Sequence, residues 1–201
     1  MSAGGEAEAG WIAPGVAEEF PELRLWSLAV TARPGPSTPG LRQRLRVLSD
    51  RFHGARAIQL RRDPIPHAYR VFFRHIGLDP DAQRIPVEAA VVDRLMHGGF
   101  RSRGLLEDAA VIALVETGIP LWALDDARVE GDLGIDQAGD ALVVADSAGA
   151  VCPLFAEPGA DRAPSPETTT HVRVFTVQVA GVPAIHVEEA LFTCAEALGE
   201  G

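Results

Sequence analysis

Residues 105–131 read LLEDAAVIALVETGIPLWALDDARVEG, and the hydrophobic pattern changes in the middle of this stretch. Residues 105–116 are almost all apolar or strong helix formers, which predicts a helix that ends before Gly118. After Gly118 the apolar segments become short and are separated by Gly or Asp, which predicts strands within residues 119–124 and 127–135. The chain is therefore expected to change here from a helical half to a half made of strands.

Upstream of this point, residues 20–32 alternate well enough to form a first strand, and the Pro- and Gly-rich residues 33–40 form a loop. Apolar residues then recur at the spacing of an amphipathic helix: Leu41, Leu45, Leu48 and Phe52. Proline opens two further predicted helices, at residues 63–76 and 86–97, and Gly98 caps the second of them.

Downstream, Val-rich segments predict strands at residues 140–146, 149–155 and 171–180. A Pro-rich loop fills residues 156–170, and the chain ends in a predicted helix at 183–198. Most predicted helices lie early in the sequence and most predicted strands lie late, which indicates an α+β fold in which helices cover sheet layers. Residues 1–10 are interpreted as a flexible tail and residues 11–201 as a single domain.

The charge is distributed unevenly along the 201 residues, whose formal net charge is −10. Residues 41–103 hold thirteen Arg against six acids, a net of +7, whereas residues 104–201 have a net of −14. All eighteen basic residues are Arg, which codon bias in a GC-rich genome would explain. Because the guanidinium fork suits phosphate and carboxylate, a clustered Arg surface is nevertheless a candidate anion site.

Basic and aromatic residues interleave between residues 61 and 75, as they do on RNA-binding surfaces. Tyr69, Phe72 and Phe73 also fit helix-core spacing, and in that alternative only an Arg edge is exposed. The candidate RNA-binding residues in the basic segment are Arg42, Arg46, Arg61, Arg62, Arg70, Arg74, Arg101 and Arg103.

The remaining composition favours a soluble cytoplasmic protein without membrane contact. No apolar run approaches the roughly 18–20 residues that span a bilayer, and the first ten residues carry acids where a signal peptide needs positive charge. Cys152 and Cys194 lie in no CxxC pair, which argues against a zinc ribbon or a disulfide framework. We expect no metal and no cofactor, and Cys194 falls in an apolar helical stripe as a buried thiol would.

Four acids cluster after the predicted strand at residues 119–124: Asp125, Asp126, Glu130 and Asp132. They do not keep the alternate ligand spacing of a calcium loop. Paired carboxylates can act as general acid and base, so Asp125 and Glu130 are catalytic candidates that would orient a water. Asp is also common in turns, because its side chain forms hydrogen bonds with nearby backbone groups. The sequence therefore leaves open whether these acids are catalytic or form a turn.

Taken in order, these segments resemble the B3/B4 domain of the phenylalanyl-tRNA synthetase beta subunit. The resemblance is carried by IPVEAAVVDRLMHGGFRS at residues 85–102, by residues 105–131 and by VVADSAG at residues 143–149. DPIPHAYRVFFRHIGLDP at residues 63–80 resembles the free-standing relatives of that domain. The resemblance implies a layered β/β/α domain that recognises or edits aminoacyl-tRNA.

The resemblance also places a ligand pocket at Ala110, Val111, Trp122 and Gln178, with departures from the synthetase pattern. Ala110-Val111 stand where the synthetase has a Thr-Asn pair, Trp122 replaces a His, and Gln178 falls near a pocket Glu. Trp122 removes a titratable group and adds an apolar ring, so the fold transfers better than the chemistry. Whether the protein is an enzyme is left open, and an aminoacyl-tRNA deacylase is the reaction expected if it is one.

Two functions are therefore expected from the sequence. The first is a tRNA-related protein that binds RNA, hydrolyses mischarged aminoacyl-tRNA in trans, or does both. The alternative is a non-catalytic module that binds a free amino acid or another small molecule and has lost the editing chemistry.

Overall fold

A computed structural model describes residues 5–52 and 54–199, and within these ranges the chain forms eight strands and seven α-helices. The strands are β1 (Glu8–Ala9), β2 (Trp11–Ile12), β3 (Arg24–Thr31), β4 (Trp122–Asp125), β5 (Gly134–Ala138), β6 (Ala141–Asp146), β7 (Gly149–Pro153) and β8 (His171–Gln178). The helices are α1 (Pro14–Glu19), α2 (Pro39–Arg51), α3 (Gly54–Leu60), α4 (Pro64–His75), α5 (Pro86–His97), α6 (Leu105–Thr117) and α7 (Ala184–Gly199). The predicted α+β class is confirmed.

The strands form two four-stranded sheets. The first has the order β1-β3-β8-β4 with antiparallel pairs, so the last strand of the chain lies between the first long strand and β4. The second has the order β2-β5-β6-β7, in which only the β2–β5 pair is parallel. The sheets contact each other where β2 and β5 meet β3, and α7 packs on β3 and β8.

The close approach of the Trp11 ring explains one glycine within the second sheet. Trp11 of β2 pairs with Gly134 of β5, and the Trp11 indole donates a hydrogen bond to the Asp132 carbonyl at 3.0 Å. A Cβ at position 134 would overlap the indole ring, so only glycine fits this parallel pair.

Helix ends follow the sequence signals closely. α5 begins at Pro86 and ends at Gly98, whose φ of 76° is the left-handed conformation of a C-cap. α6 likewise ends at Gly118, with φ 80°. Both caps were predicted, and the turn after Gly118 leads directly into β4.

Helix α4 buries the aromatic residues that the sequence also allowed as RNA contacts. Tyr69, Phe72 and Phe73 are all buried, and the Tyr69 hydroxyl donates to the Val177 carbonyl of β8 at 2.7 Å. Burial outweighs a hydrogen bond with Thr176 and raises the pKa of Tyr69. The helix-core alternative is therefore confirmed for these rings.

Three expectations about local structure need correction. Within the predicted tail, residues 1–4 lie outside the described residues, but Glu8 and Ala9 pair with Ser27 and Trp26 of β3. The strand predicted at residues 127–135 is wrong for most of its length, because residues 126–128 form a 3-10 helix and β5 begins only at Gly134. Helices α1 and α3 are additional elements that the sequence patterns did not predict.

Among residues 5–52 and 54–199, no helix is both long enough and apolar enough to cross a membrane.

Candidate ligand-binding cleft

An open cavity of about 1300 Å³, here called the cleft, lies beside the start of β4. Most of its walls come from five parts of the chain: residues 34–37, α5, residues 100–104 with α6, residues 120–123, and the Pro-rich segment 155–166. Arg42 of α2 and Arg84, just before α5, complete them. Consecutive elements supply most of these walls, because α5, α6 and β4 follow one another with short connections. Sites for small ligands are concave and mostly apolar with a few polar groups, and the walls of this cleft combine these two kinds of surface.

Trp122 forms the aromatic wall of the cleft. Its ring stacks on Phe175 of β8 with centroids 5.7 Å apart, and Phe155 contacts it edge-on at 6.0 Å. Ala110 and Val111 line the same cleft from α6, where both are partly buried. Three of the four residues that the resemblance assigned to a pocket therefore meet in one cavity.

Phe155, which packs against Trp122, has an unusual backbone conformation. Its φ is 64°, the left-handed region that side chains other than Gly rarely adopt. The ring lies among Tyr69, Phe72 and Phe73 of α4 as well as Trp122, with centroid distances of 5.0–6.0 Å. Aromatic packing on several sides supplies the stabilisation that this strained conformation requires.

Asp108 of α6 fixes two loops that border the cleft. One carboxylate oxygen accepts hydrogen bonds from the Ser37 and Ser102 hydroxyls, each at 2.5 Å, and the other accepts from the Arg103 amide at 2.9 Å. Asp108 is 1% exposed, so these bonds replace the water that its carboxylate loses on folding. The cleft consequently has a preformed border.

Carboxylates and guanidinium groups face the same cavity. Glu107 and Glu157 line it, and burial together with the charge of Glu107 raises the pKa of Glu157. Glu157 is exposed as a residue, but its carboxyl group is partly shielded from water. Four arginines also line the cleft: Arg42, Arg84, Arg101 and Arg103.

Gln178 does not line the cleft, so its predicted place in the pocket is corrected. Its side chain accepts a hydrogen bond from the Trp26 indole and donates one to the Val182 carbonyl, both at 2.8 Å. Trp122 is the cross-strand partner of Phe175, and residues 175 and 178 are an odd number of positions apart. Successive side chains of a strand point to opposite faces, so Gln178 lies on the face away from Trp122.

The catalytic candidates Asp125 and Glu130 also lie outside the cleft wall. Asp125 is buried; its carboxylate accepts from the Thr169 hydroxyl at 2.7 Å and from the Ala127 amide at 3.2 Å. The Glu130 backbone, rather than its carboxylate, makes the contacts of that residue, with Asp146 and Ser147. These bonds favour the interpretation of the acidic cluster as a turn.

Asp146 is the residue on which this turn depends. Burial alone would raise its pKa, but the amides of Glu130 and Ala148 and the guanidinium of Arg162 outweigh burial and lower the pKa. Arg162 lies 2.7 Å from the Asp146 carboxylate and comes from the Pro-rich segment. The turn and the segment that lines the cleft are thus joined by one ion pair.

The predicted RNA-binding arginines do not form one surface. Arg70 is buried, with its guanidinium 2.9 Å from Glu88 and 2.6 Å from Asp81. Arg61 and Arg74 also approach Asp81, at 3.4 and 3.9 Å. Three of the eight candidates therefore converge on one carboxylate between α4 and α5.

The other five candidates are divided between the cleft and the outer surface. Arg42 donates to the Ser37 carbonyl, and Arg103 lies 3.3 Å from Asp93. Arg101 is exposed at the border of the cleft. Arg46 approaches Gln43 at 3.4 Å, and the exposed Arg62 does not line the cleft.

Comparison with known proteins does not assign the chain to a family. No protein-family model matches the sequence, and no curated protein matches it. The resemblance to the B3/B4 domain therefore rests on the order and spacing of its motifs.

The cleft presents three kinds of surface to a ligand. Trp122, Val111 and Phe155 offer apolar contact, Glu107 and Glu157 can accept hydrogen bonds from a cation, and the arginines can hold an anion. Four residues of the cleft were not among the predicted site residues: Arg84, Glu107, Phe155 and Glu157. Phe155 and Glu157 belong to an irregular Pro-rich region that carries no periodic signal, so only the folded chain brings them to α6 and β4.

Proposed function

We propose that the cleft binds the aminoacyl end of tRNA, in a layered β/β/α domain of the B3/B4 type. The observation that carries this proposal is the meeting of Ala110, Val111 and Trp122 in one large cavity bordered by arginines. The resemblance had selected these three residues from motif positions alone. Their convergence supports a ligand site at the place where the related domain recognises its aminoacyl group.

The surfaces of the cleft match the parts of such a ligand. The amino acid side chain would lie against Trp122 and Val111, and Glu107 and Glu157 would accept hydrogen bonds from the amino group. Phosphates and the terminal bases would lie along the arginines, where charge and stacking both contribute. Apolar walls favour an apolar or aromatic amino acid over a charged one.

Binding is the core of the proposal, and hydrolysis is an additional activity to be tested. Editing by hydrolysis requires a positioned water and donors for a developing oxyanion. Neither Asp125 nor Glu130 lines the cleft, so a water held there would be oriented by Glu107 or Glu157 instead. The pKa of Glu157 is raised, which moves this carboxyl toward the range of a general base.

Equilibrium binding of aminoacylated tRNA at several salt concentrations tests the proposal directly. The assay compares tRNA charged with tyrosine, tRNA mischarged with other amino acids, and the same tRNA uncharged, and it follows ester hydrolysis in parallel. Because four arginines line the cleft, we expect a slope of log K against log salt no steeper than about −3, at about −0.7 per phosphate contact. Absence of both binding and hydrolysis would refute a tRNA-related function.

Two matched charge reversals locate the binding surface. Arg101 and Arg62 are both exposed, but only Arg101 lines the cleft. Arg101→Glu is expected to weaken tRNA binding and to reduce the salt slope by about one contact, whereas Arg62→Glu changes the net charge equally and should have a much smaller effect. Equal effects of the two substitutions would show that general charge, and not the cleft, governs binding.

A free amino acid or similar small ligand is the second candidate function. The observation that favours it is the convergence of Arg61, Arg70 and Arg74 on Asp81, which pairs three of the eight candidate RNA-binding arginines with an acid. A thermal-shift screen against amino acids and aminoacyl analogues tests this alternative, because a ligand that binds only the native state raises the melting temperature. Ala110→Trp should reduce the shift, because the added indole would occupy the part of the cleft between α6 and Trp122.

A further inference from the structure

A second cavity lies on another part of the surface, between α3 and α5. This groove has a volume of about 420 Å³, and its walls include Ala57 and Ile58 of α3 and Val91 and Leu95 of α5. Ile58 is 73% exposed and Leu95 is 40% exposed, although both are large apolar side chains. Arg61, Arg84 and the buried Glu88 also line the groove, and Arg61 lies 3.5 Å from Glu88. The groove is therefore apolar along its length, with two basic groups and one buried acid beside it.

The outer face of α7 has the complementary composition. Its exposed residues Ile185, Glu189, Phe192 and Glu196 follow the spacing of one helical stripe. Ile185 is 66% exposed and Phe192 is 46% exposed, while α7 contains three Glu and neither Lys nor Arg. The stripe therefore alternates apolar and acidic side chains along the helix.

These two surfaces hold four of the seven large apolar side chains that are exposed within the described part of the chain. They also differ in local charge, because two Arg and one Glu line the groove, whereas the exposed stripe of α7 carries Glu189 and Glu196. Opposite charge favours contact between the groove and α7 and disfavours contact of either surface with itself.

The dimensions of the two surfaces agree as well. Glu88 and Leu95 mark the groove along α5 and are seven residues apart, as are Ile185 and Phe192 on α7. Seven residues of helix span about 10.5 Å. A helix laid in the groove could therefore place Ile185 and Phe192 within its length, in the manner of helix-in-groove recognition.

We propose that the groove between α3 and α5 binds the outer face of α7 of a second copy of this protein, so that the molecules associate head to tail. Each molecule carries one groove and one α7 face, and the proposed head-to-tail contact joins these two different surfaces, which makes it heterologous. The buried area is that of a single helix face, so the association is weak and depends on protein concentration. The cleft is a different cavity that shares Arg84 and Val92 with the groove, and this proposal does not rest on the identity of its ligand.

Two matched substitutions and their mixture test the proposal. Ile58→Asp alters the groove and Ile185→Asp alters α7, and each places the same charge at a largely exposed position. We expect wild-type protein to form oligomers as its concentration rises in sedimentation velocity, and each variant to associate more than tenfold more weakly, because a carboxylate would have to be buried. Val47→Asp on α2, where Val47 is 41% exposed, is the control and should associate like wild type.

The mixture distinguishes head-to-tail contact from non-specific association. The Ile58→Asp variant keeps an intact α7 and the Ile185→Asp variant keeps an intact groove, so a mixture is expected to form dimers that do not grow further. Wild-type protein that remains monomeric at all concentrations overturns the proposal, even if the groove accepts a helix of another protein. Failure of the mixed variants to form dimers also overturns it, and circular dichroism confirms that each variant is folded.

Discussion

Replacing Arg70 by Met should reveal how much stability one buried ion pair contributes. The Arg70 guanidinium lies 2.9 Å from both carboxylate oxygens of Glu88, and these side chains are 8% and 4% exposed. Burial acts to lower the pKa of Arg70, but Asp81 and Glu88 outweigh it and raise the pKa. Met keeps the approximate length of the side chain and removes the charge, so Glu88 would remain buried without its main partner.

The expected loss follows from the burial of Glu88. Removing one partner of a buried pair typically costs about 3–5 kcal/mol, because the remaining charge is desolvated and uncompensated. Arg61, the next cation, lies 3.5 Å from Glu88 but is 49% exposed, so it can replace only part of the interaction. For a chain of this size, such a loss corresponds to a fall of roughly 6–20 °C in melting temperature.

Thermal and denaturant unfolding of Arg70→Met, Arg74→Met and wild type provides the measurement. Arg74 lies one turn further along α4, is 52% exposed and approaches Asp81 only to 3.9 Å, so its substitution should cost less than about 1 kcal/mol. The double variant Arg70→Met/Glu88→Met should recover most of the lost stability, since neither charge of this buried pair then remains. If Arg70→Met loses no more stability than Arg74→Met, the proposed structural role of Arg70 is wrong.

Three further predictions concern the cleft border, the acidic turn and the thiols. Asp108→Asn should destabilise the protein by about 1–3 kcal/mol and weaken ligand binding, because an amide cannot accept all three bonds at the cleft border; unchanged unfolding and binding curves would contradict this. Because the folded-state pKa of Asp146 is lowered, its charge stabilises the fold above the ordinary Asp value, and this contribution is lost as the pH falls through the lowered pKa. Asp146→Asn should therefore destabilise the protein at neutral pH and flatten the acid side of its stability profile, whereas Asp161→Asn, at an 82% exposed side chain, should not. Burial raises the pKa of Cys194 to about 12, and burial together with the charge of Glu157 raises the pKa of Cys152 to about 11. Alkylation of both thiols at neutral pH should therefore be slow until denaturant is added. Rapid labelling of the native protein would refute the expected protection.

Local sequence signals predicted the helices whose ends are marked by proline or glycine. Pro86 and Gly98 bound α5, and Gly118 ends α6, because proline fits the first helical turn and glycine adopts the left-handed cap. Helix α3 has neither an acidic first turn nor a basic last turn, and it was not predicted. The segment at residues 127–135 alternates like a strand, but Asp146 binds the Glu130 amide and holds part of it in a turn.

Only the residues of the candidate site that lie on consecutive elements could be predicted from the sequence. Ala110, Val111 and Trp122 lie on α6 and β4, which a short turn joins, so their proximity follows from chain order. Predicting the position of the Gln178 side chain required the register of β8 against β4. A shift of one residue in this register reverses the face of every side chain. Phe155 and Glu157 required the path of an irregular loop, which tertiary packing determines.

The distribution of arginine shows why a net charge does not define a binding surface. The +7 of residues 41–103 made a clustered Arg surface a candidate anion site, but folding commits several of these arginines to internal contacts. Arg70 neutralises buried Glu88, Arg94 donates to the Ser49 carbonyl, and Arg42 donates to the Ser37 carbonyl. Four arginines line the cleft and two line the groove between α3 and α5, with Arg84 common to both, whereas Arg62 is exposed and lines neither cavity. Because Arg84 lines both cavities, an anion in the cleft and the acidic face of α7 in the groove would draw on the same guanidinium, and each should weaken the binding of the other.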